Sequence, residues 1–252
     1  MISRRGFLRT GIAGTCALCT GYVPFVSQVN ASGKDEEEFP VKEAMYYKQL
    51  PDIRVECELC PRGCKVADLE RGYCGVRENR DGRYYTLVHS RVCSINTDPI
   101  EKKPLFHYLP GTKAYSIATA GCNIECKFCQ NWQISQFRPE QVNNIKLTPE
   151  EVIRFAQEKR CDTVAYTYSE PVVFYEYMYD TAKIGKRGGV GSVMISNGYI
   201  KKEPLVKLCS ELSAVKIDFK AFTEKFYKET CSGELKPVLE TLVTLKEIGI
   251  WF

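Results

Sequence analysis

From residue 114 onward, apolar runs alternate with amphipathic stretches, and the alternation predicts parallel βα units. The apolar runs place strands at 114–120, 163–168, 191–196 and 214–219. Helices are expected between them. Thr148-Pro149-Glu150-Glu151 supplies an N-cap, a proline at the first helical position and a capping-box glutamate, and starts a helix reaching about residue 159. A second helix follows Pro171 and stops at Gly188-Gly189. A third covers about 202–212 and a fourth about 235–248, closed by Gly249, after which Ile250-Trp251-Phe252 begins another strand. Upstream the pattern is shorter. Residues 76–100 read as a small β unit around the turn Asn79-Arg80-Asp81-Gly82. Prolines 99, 104 and 110 make 98–111 a connecting segment without regular structure. The fold class expected is α/β: a partial parallel barrel preceded by a small Cys-rich β unit.

Candidate chemistry falls where such a sheet places it, just past strand ends. After the first main strand comes Gly121-Cys122-Asn123-Ile124-Glu125-Cys126-Lys127-Phe128-Cys129-Gln130-Asn131, with three cysteines spaced C-x3-C-x2-C. Three adjacent thiols cannot all pair as disulfides, but they can converge on one inorganic cluster. Iron–sulfur cubes usually take four cysteines, so three leave one iron open, which marks a catalytic rather than a structural metal. This loop resembles the cluster loop of the radical S-adenosylmethionine (SAM) enzymes. The resemblance implies a [4Fe-4S] cluster on Cys122, Cys126 and Cys129, with SAM chelated to the open iron and cleaved reductively to a 5′-deoxyadenosyl radical. It also implies a low-potential electron donor such as ferredoxin or flavodoxin.

The next strand ends carry further candidates. Tyr168-Ser169-Glu170-Pro171 occupies the place of the family's Gly-Gly-Glu motif, and only Glu170 carries over, as a ligand of the SAM amino group. The competing reading of Glu170 is an acid favoured by a helix N-terminus. Asn197, in Asn197-Gly198-Tyr199, is a candidate for ribose hydroxyls or simply a turn residue. Asp218 and Lys220 lie two apart on a strand and share a face, as a charged pair near the cofactor or a surface ion pair. Phe128 is a candidate to pack on the adenine.

A second cysteine group precedes the barrel: Cys57, Cys60, Cys64 and Cys74, spaced C-x2-C-x3-C-x9-C on turn-rich backbone. Four thiols suit a closed tetrahedral zinc or a closed iron–sulfur cluster, and two disulfides are the alternative if the protein matures outside the cell. Thirteen cysteines is an odd and high count, which favours metal ligation over a disulfide framework. Cys93, Cys161, Cys209 and Cys231 read as packing residues, and His89 and His107 as structural.

Charge excludes little except nucleic acid. The net charge is +4, but without Arg4, Arg5 and Arg9 there are 32 basic against 31 acidic residues and no basic stripe. Those arginines belong to Ser3-Arg4-Arg5-Gly6-Phe7-Leu8-Arg9, which resembles a twin-arginine export signal, followed by an uncharged stretch and a small-residue cleavage site after Ala31. Export and SAM chemistry point to different compartments, since SAM and low-potential electrons are cytoplasmic supplies. The organisation expected is a signal at 1–31, an acidic linker at 32–49, a Cys-rich metal-binding region at 50–111 and a radical SAM core at 112–252.

Taken together, Cys-x2-Cys-Pro-x2-Cys, Cys74-Gly75-Val76-Arg77, Asp98-Pro99-Ile100-Glu101-Lys102-Lys103-Pro104-Leu105 and the cluster loop resemble the pyruvate formate-lyase activating-enzyme branch, and within it the AmmeMemoRadiSam-system enzymes. The resemblance spans about 50–252. It implies a (β/α)6 barrel that would continue past Phe252, so the chain is expected to be C-terminally truncated. It also raises a protein glycyl centre as substrate. Two other classes stay open: an exported iron–sulfur, electron-transfer or metal-binding protein, and an inactive fragment.

Overall fold

The computed structural model describes residues 39–252. The export-signal reading, Cys16 and Cys19 fall outside the described residues. Among those described, no helix is long and apolar enough to cross a membrane.

The chain runs through β1 (Lys42–Glu43), β2 (Tyr47–Leu50), β3 (Arg54–Cys57), β4 (Lys65–Val66), β5 (Arg77–Arg80), β6 (Arg83–Thr86), β7 (Arg91–Val92), β8 (Ser94–Pro99) and β9 (Lys113–Ala118). Then follow α1 (Trp132–Ser135), β10 (Ile145–Lys146), α2 (Pro149–Glu158), β11 (Thr163–Tyr166), α3 (Tyr175–Arg187), β12 (Gly191–Ser196), α4 (Lys202–Cys209), β13 (Ala214–Ile217), α5 (Glu224–Cys231) and α6 (Leu235–Ile248). The main sheet has the order β13-β12-β11-β9-β8, with β9, β11, β12 and β13 mutually parallel. Trp251 adds a parallel bridge to Ala214 beyond β13. This is the partial parallel α/β barrel with a small β unit in front of it.

The faces of the sheet differ in side-chain size. Tyr115, Ile117, Val164, Tyr166 and Met194 share one core with Val152, Ile153, Tyr177 and Met178 of α2 and α3. The opposite face carries Ala114, Ala165, Val193 and Ala214, packed with Ile100 and Leu105. Small residues on that side make room for Ile100 and Leu105 to pack against the sheet. The capping box forms as expected: Thr148 accepts from the Glu151 amide, and the Glu151 carboxylate accepts from the Thr148 amide.

Three expectations need correction. Residues 94–99, expected to end a separate β unit and run into unstructured chain, form β8, which pairs antiparallel with β9 along six residues. Pro99 is tolerated because it ends an edge strand, where its missing N–H costs no ladder bond. Part of the expected linker at 32–49 is strand, because β1 pairs with β6 and β2 with β3. Helix α5 lies in a stretch with no helix expected. Its Thr223 cap accepts from the Phe226 amide, and only Tyr227 and Cys231 bury fully, so its eight residues carry little apolar signal.

In the small β unit, Asp81 and Gly82 both have positive φ (53° and 75°), the two-residue turn that suits the twist of a hairpin. The unit is fastened to the barrel by a buried ion pair. Arg77 of β5 donates to both carboxylate oxygens of Glu176 on α3, at 3.1 and 2.5 Å, and Glu176 also accepts from the Met45 amide at 2.9 Å.

Candidate active site

Gly121, three residues past the end of β9, has φ +99°, a conformation L side chains rarely adopt. A Cβ there would lie 2.6 Å from Val76 Cγ1 and 2.9 Å from the Cys74 carbonyl oxygen. The loop that follows is tied down along its length. The Glu125 and Lys127 amides donate to the Cys231 and Thr230 carbonyls at the end of α5, and the Gly121 amide to Ile134. Arg62 reaches over from the Cys-rich unit and donates to the Asn123 carbonyl at 2.5 Å and to the Ser232 carbonyl. Gly121→Ala is therefore expected to lose about 1–3 kcal/mol, because neither backbone nor valine can yield cheaply. A fall in thermal midpoint together with lower iron uptake would report it; a variant indistinguishable from wild type in both would show that the loop accepts the side chain.

Cys122, Cys126 and Cys129 line one cavity of about 330 Å³, together with Phe128, Asn131, Tyr168, Glu170, Asn197, Asp218 and Lys220. All four proposed cofactor-contacting residues and all three cluster cysteines thus meet at the C-terminal ends of parallel strands. A wider cleft of about 570 Å³ borders the loop's other side at Cys122 and Glu125 but touches none of Glu170, Asn197 or Asp218. Among the described residues, no three His, Cys, Asp or Glu side chains converge on a single ion-sized point. A cluster is a body with volume, so its ligands ring a cavity instead. Three thiols with no fourth on the cavity wall fit a cube with one iron left for another ligand. Burial pushes the Cys126 thiol up to about 12 and Cys122 well above its usual range, so loading the site must displace protons.

Glu170 is the most confined of these groups. Its Oε1 accepts from the Val172 amide (3.1 Å) and the Ser196 hydroxyl (2.7 Å), and its Oε2 from the Asn197 amide (2.9 Å). Burial nevertheless raises its pKa to about 7, the three donors and Lys220 offsetting only part of the desolvation. One lone pair of Oε2 has no protein donor, which leaves capacity for a ligand.

Asn197, the candidate for ribose hydroxyls, lines the cavity and is also tied to the cluster loop. Its Nδ2 donates to Asn123 Oδ1 at 2.9 Å and lies 3.8 Å from Cys122 Sγ, while its Oδ1 accepts from the Tyr199 amide at 2.8 Å. Asn123 in turn donates to the Tyr199 carbonyl at 2.7 Å. Its Nδ2 is thus tied to the cluster loop and its Oδ1 to its own turn, so it holds the first cysteine in place. Asp218 sits between Lys216 and Lys220, the latter at 3.1 Å. Burial raises the Asp218 pKa, but the two ammonium groups outweigh it and hold the carboxyl below its usual range. Phe128 is half-exposed at the cavity mouth, its ring 5.9 Å from that of Phe226.

Cys231, read as packing, is fully buried in the same apolar cluster as Cys122 and Cys126, as a packing residue should be. Sequence reasoning missed two features of this site. Tyr168 takes a left-handed backbone (φ 67°), so a motif position filled elsewhere by glycine is here a strained tyrosine. Its hydroxyl donates to Asp98 at 2.5 Å, and Asp98 also accepts from the buried Lys103 at 2.6 Å and from Ser116 at 3.0 Å. No local pattern links Tyr168, Ser116 and the Asp98–Lys103 pair, which come from three segments.

Residues 116–252, more than half of the chain, match the family described as the Radical SAM superfamily. Two curated relatives come from Methanocaldococcus jannaschii. Uncharacterized protein MJ0808 is 48% identical over 211 residues, covering 84% of this chain and 62% of the relative. Uncharacterized protein MJ0674 is 29% identical over 139 residues, covering 50% of this chain and 36% of the relative. The chain thus spans less than two thirds of the length of either. Among solved structures, that of TYW1 with a lysine-pyruvate adduct bound aligns with TM-score 0.39 and 22% identity, over 58% of this chain and 56% of that one. QueE from Escherichia coli aligns with TM-score 0.36 and 10% identity, over 64% and 92%.

Proposed function

Because the chain belongs to the radical SAM superfamily, a superfamily of enzymes, we propose that Cys122, Cys126 and Cys129 hold a [4Fe-4S] cluster and that SAM occupies the 330 Å³ cavity beside it. The observation that carries this reading is the meeting of three thiols and one buried carboxylate with spare acceptor capacity on a single strand-end cavity. When bound and reduced, the cluster and SAM together supply a 5′-deoxyadenosyl radical for hydrogen abstraction. The chain's own residues bind and orient. Glu170 accepts a hydrogen bond from the SAM amino group. Asn197 and Asn123 fix the loop that presents Cys122. Phe128 packs on the adenine at the mouth, and the Asp218–Lys220 pair is a charged pair on the cavity wall near the cofactor. The reductant is a small electron-transfer protein such as ferredoxin or flavodoxin. The substrate is proposed by analogy with activating enzymes to be a protein glycyl position, which the open mouth framed by Phe128 would admit.

The rival reading is an electron-transfer protein with no affinity for SAM. Adding SAM to the reduced, cluster-loaded protein separates the two. The cluster's EPR signal is expected to change shape as SAM ligates the open iron, and an unchanged signal at saturating SAM would favour the rival.

The raised Glu170 pKa gives this reading a pH signature. Below about pH 7 its carboxylate takes up a proton that the SAM amino group would have to displace. SAM affinity is expected to rise roughly tenfold from pH 6 to pH 8, beyond any rise in a Glu170→Gln variant, which has no such proton to lose. Equal slopes in the two proteins would remove Glu170 from the SAM contact.

A further inference from the structure

The second cysteine group faces a space of quite different size. Cys57, Cys60, Cys64 and Cys74 all line one small, partly open void of about 20 Å³, walled on its apolar side by Leu59, Tyr84, Val172 and Val173. The thiols come from two tight turns. In the first, the Cys57 amide donates to the Cys64 carbonyl at 2.9 Å, with Gly63 at φ +53°. In the second, the Gly75 amide donates to the Gly72 carbonyl at 2.9 Å, with Gly75 at φ +72°. None of the four is in a disulfide. Among the described residues they are the metal-ligating side chains on the void, with no histidine or carboxylate beside them.

Two further observations point to a bound cation with thiolate ligands. Arg77 lines the void and is 1% exposed, and its Nε has no hydrogen-bond partner although both Nη atoms are taken by Glu176. A buried guanidinium N–H without an acceptor is costly unless something arrives to accept it. A neutral thiol is a weak acceptor, whereas a metal-bound thiolate is a strong one. Arg62, stacked 3.4 Å over Tyr73, supplies a second positive charge on the same wall. A divalent ion with four thiolates carries a net charge of two minus; Arg62 offsets one unit of it, since the charge of Arg77 is already met by Glu176, and Arg77 contributes its free N–H. The void's volume is that of one ion or water, far from the space a four-iron cube occupies.

We propose that Cys57, Cys60, Cys64 and Cys74 bind a single zinc ion in a closed tetrahedral site, with Arg77 donating to one of its thiolates. The sulfurs ring the void without yet converging on one point. Ligation draws them to about 2.3 Å from the metal, with release of the thiol protons. The site's role is positional. Asn123 lines the same void from the cluster loop, the Cys74 carbonyl packs under Gly121, and Arg62 grips the loop at Asn123 and Ser232. Zinc therefore braces the back of the loop that carries Cys122. The assignment does not rest on SAM chemistry.

The test counts metals in the full chain purified without air. Wild type with its cluster assembled is expected to hold one zinc and four irons. A Cys122→Ala/Cys126→Ala/Cys129→Ala variant is expected to keep the zinc and lose all iron. Cobalt(II) added to that variant after zinc removal should give the intense absorption of tetrahedral cobalt–thiolate, lost on adding zinc, and the bound zinc should protect four thiols from alkylation. Cys64→Ser is expected to lose zinc; because that variant can fail to fold, the cobalt spectrum of the chain with all four cysteines decides. Iron with sulfide in the triple variant would overturn zinc in favour of a second cluster. No metal with four reactive thiols, or disulfides among the four, would overturn the site altogether. None of these readings depends on whether SAM is cleaved.

Discussion

Alanine in place of Cys122, Cys126 or Cys129, one at a time, is expected to abolish SAM cleavage and to leave the cluster site short of iron. Each thiol supplies one of three anchors on the cavity, and among the described residues no fourth cysteine lines it to substitute. Removing an outer hydrogen-bond partner of a metal ligand typically costs about 10–100-fold, so losing a ligand should exceed that. The fold should survive, because the loop is held mainly through backbone contacts to α5 and Arg62 rather than through its sulfurs. Iron and sulfide per chain, with 5′-deoxyadenosine formation, measure the effect. A single-cysteine variant that keeps four irons and cleaves SAM would show that the cluster is held elsewhere.

Glu176→Ala is expected to cost the most stability of any change considered. Glu176 is fully buried and accepts from Arg77 twice and from the Met45 amide. Its removal strands the Arg77 guanidinium inside the protein, where Nε already lacks a partner. Leaving one partner of a buried ion pair uncompensated costs about 3–5 kcal/mol. For a chain of this size that lowers the thermal midpoint by roughly 6–20 °C. Because the pair fastens β5 to α3, the loss should also loosen the small β unit from the barrel, seen as faster hydrogen exchange in 77–86. A midpoint within 2 °C of wild type would mean, at about 2–4 °C per kcal/mol, that the pair carries little net stability.

The parts of this architecture legible in the sequence are those fixed by local pattern. Four apolar runs gave the parallel strands, and Thr148-Pro149-Glu150-Glu151 gave the start of α2, since a capping box is a contact between residues three apart. The cysteine spacings were readable for the same reason: each group lies within a short stretch of chain. What escaped depends on distant partners. β8 was read as the end of the small β unit, running at Pro99 into irregular chain, and only its pairing with β9 places it in the main sheet. The role of Asn197 depends on Asn123, 74 positions earlier, so a turn motif became a brace for the cluster loop. Arg77 and Glu176 are 99 positions apart, and nothing near either predicts that they bury each other. The difference between the two cysteine sites is likewise three-dimensional: both spacings suggest metal, but only the cavities distinguish an ion-sized void from room for a cluster and a cofactor.

The central claim is that the strand-end cavity holds SAM against a cluster on Cys122, Cys126 and Cys129. Its most direct measurement is product formation by anaerobic, reduced, cluster-loaded protein given SAM. The account predicts 5′-deoxyadenosine and methionine in equal amounts, dependent on reductant and lost in the Cys126→Ala variant. A fully assembled and reduced cluster that leaves SAM intact would contradict it.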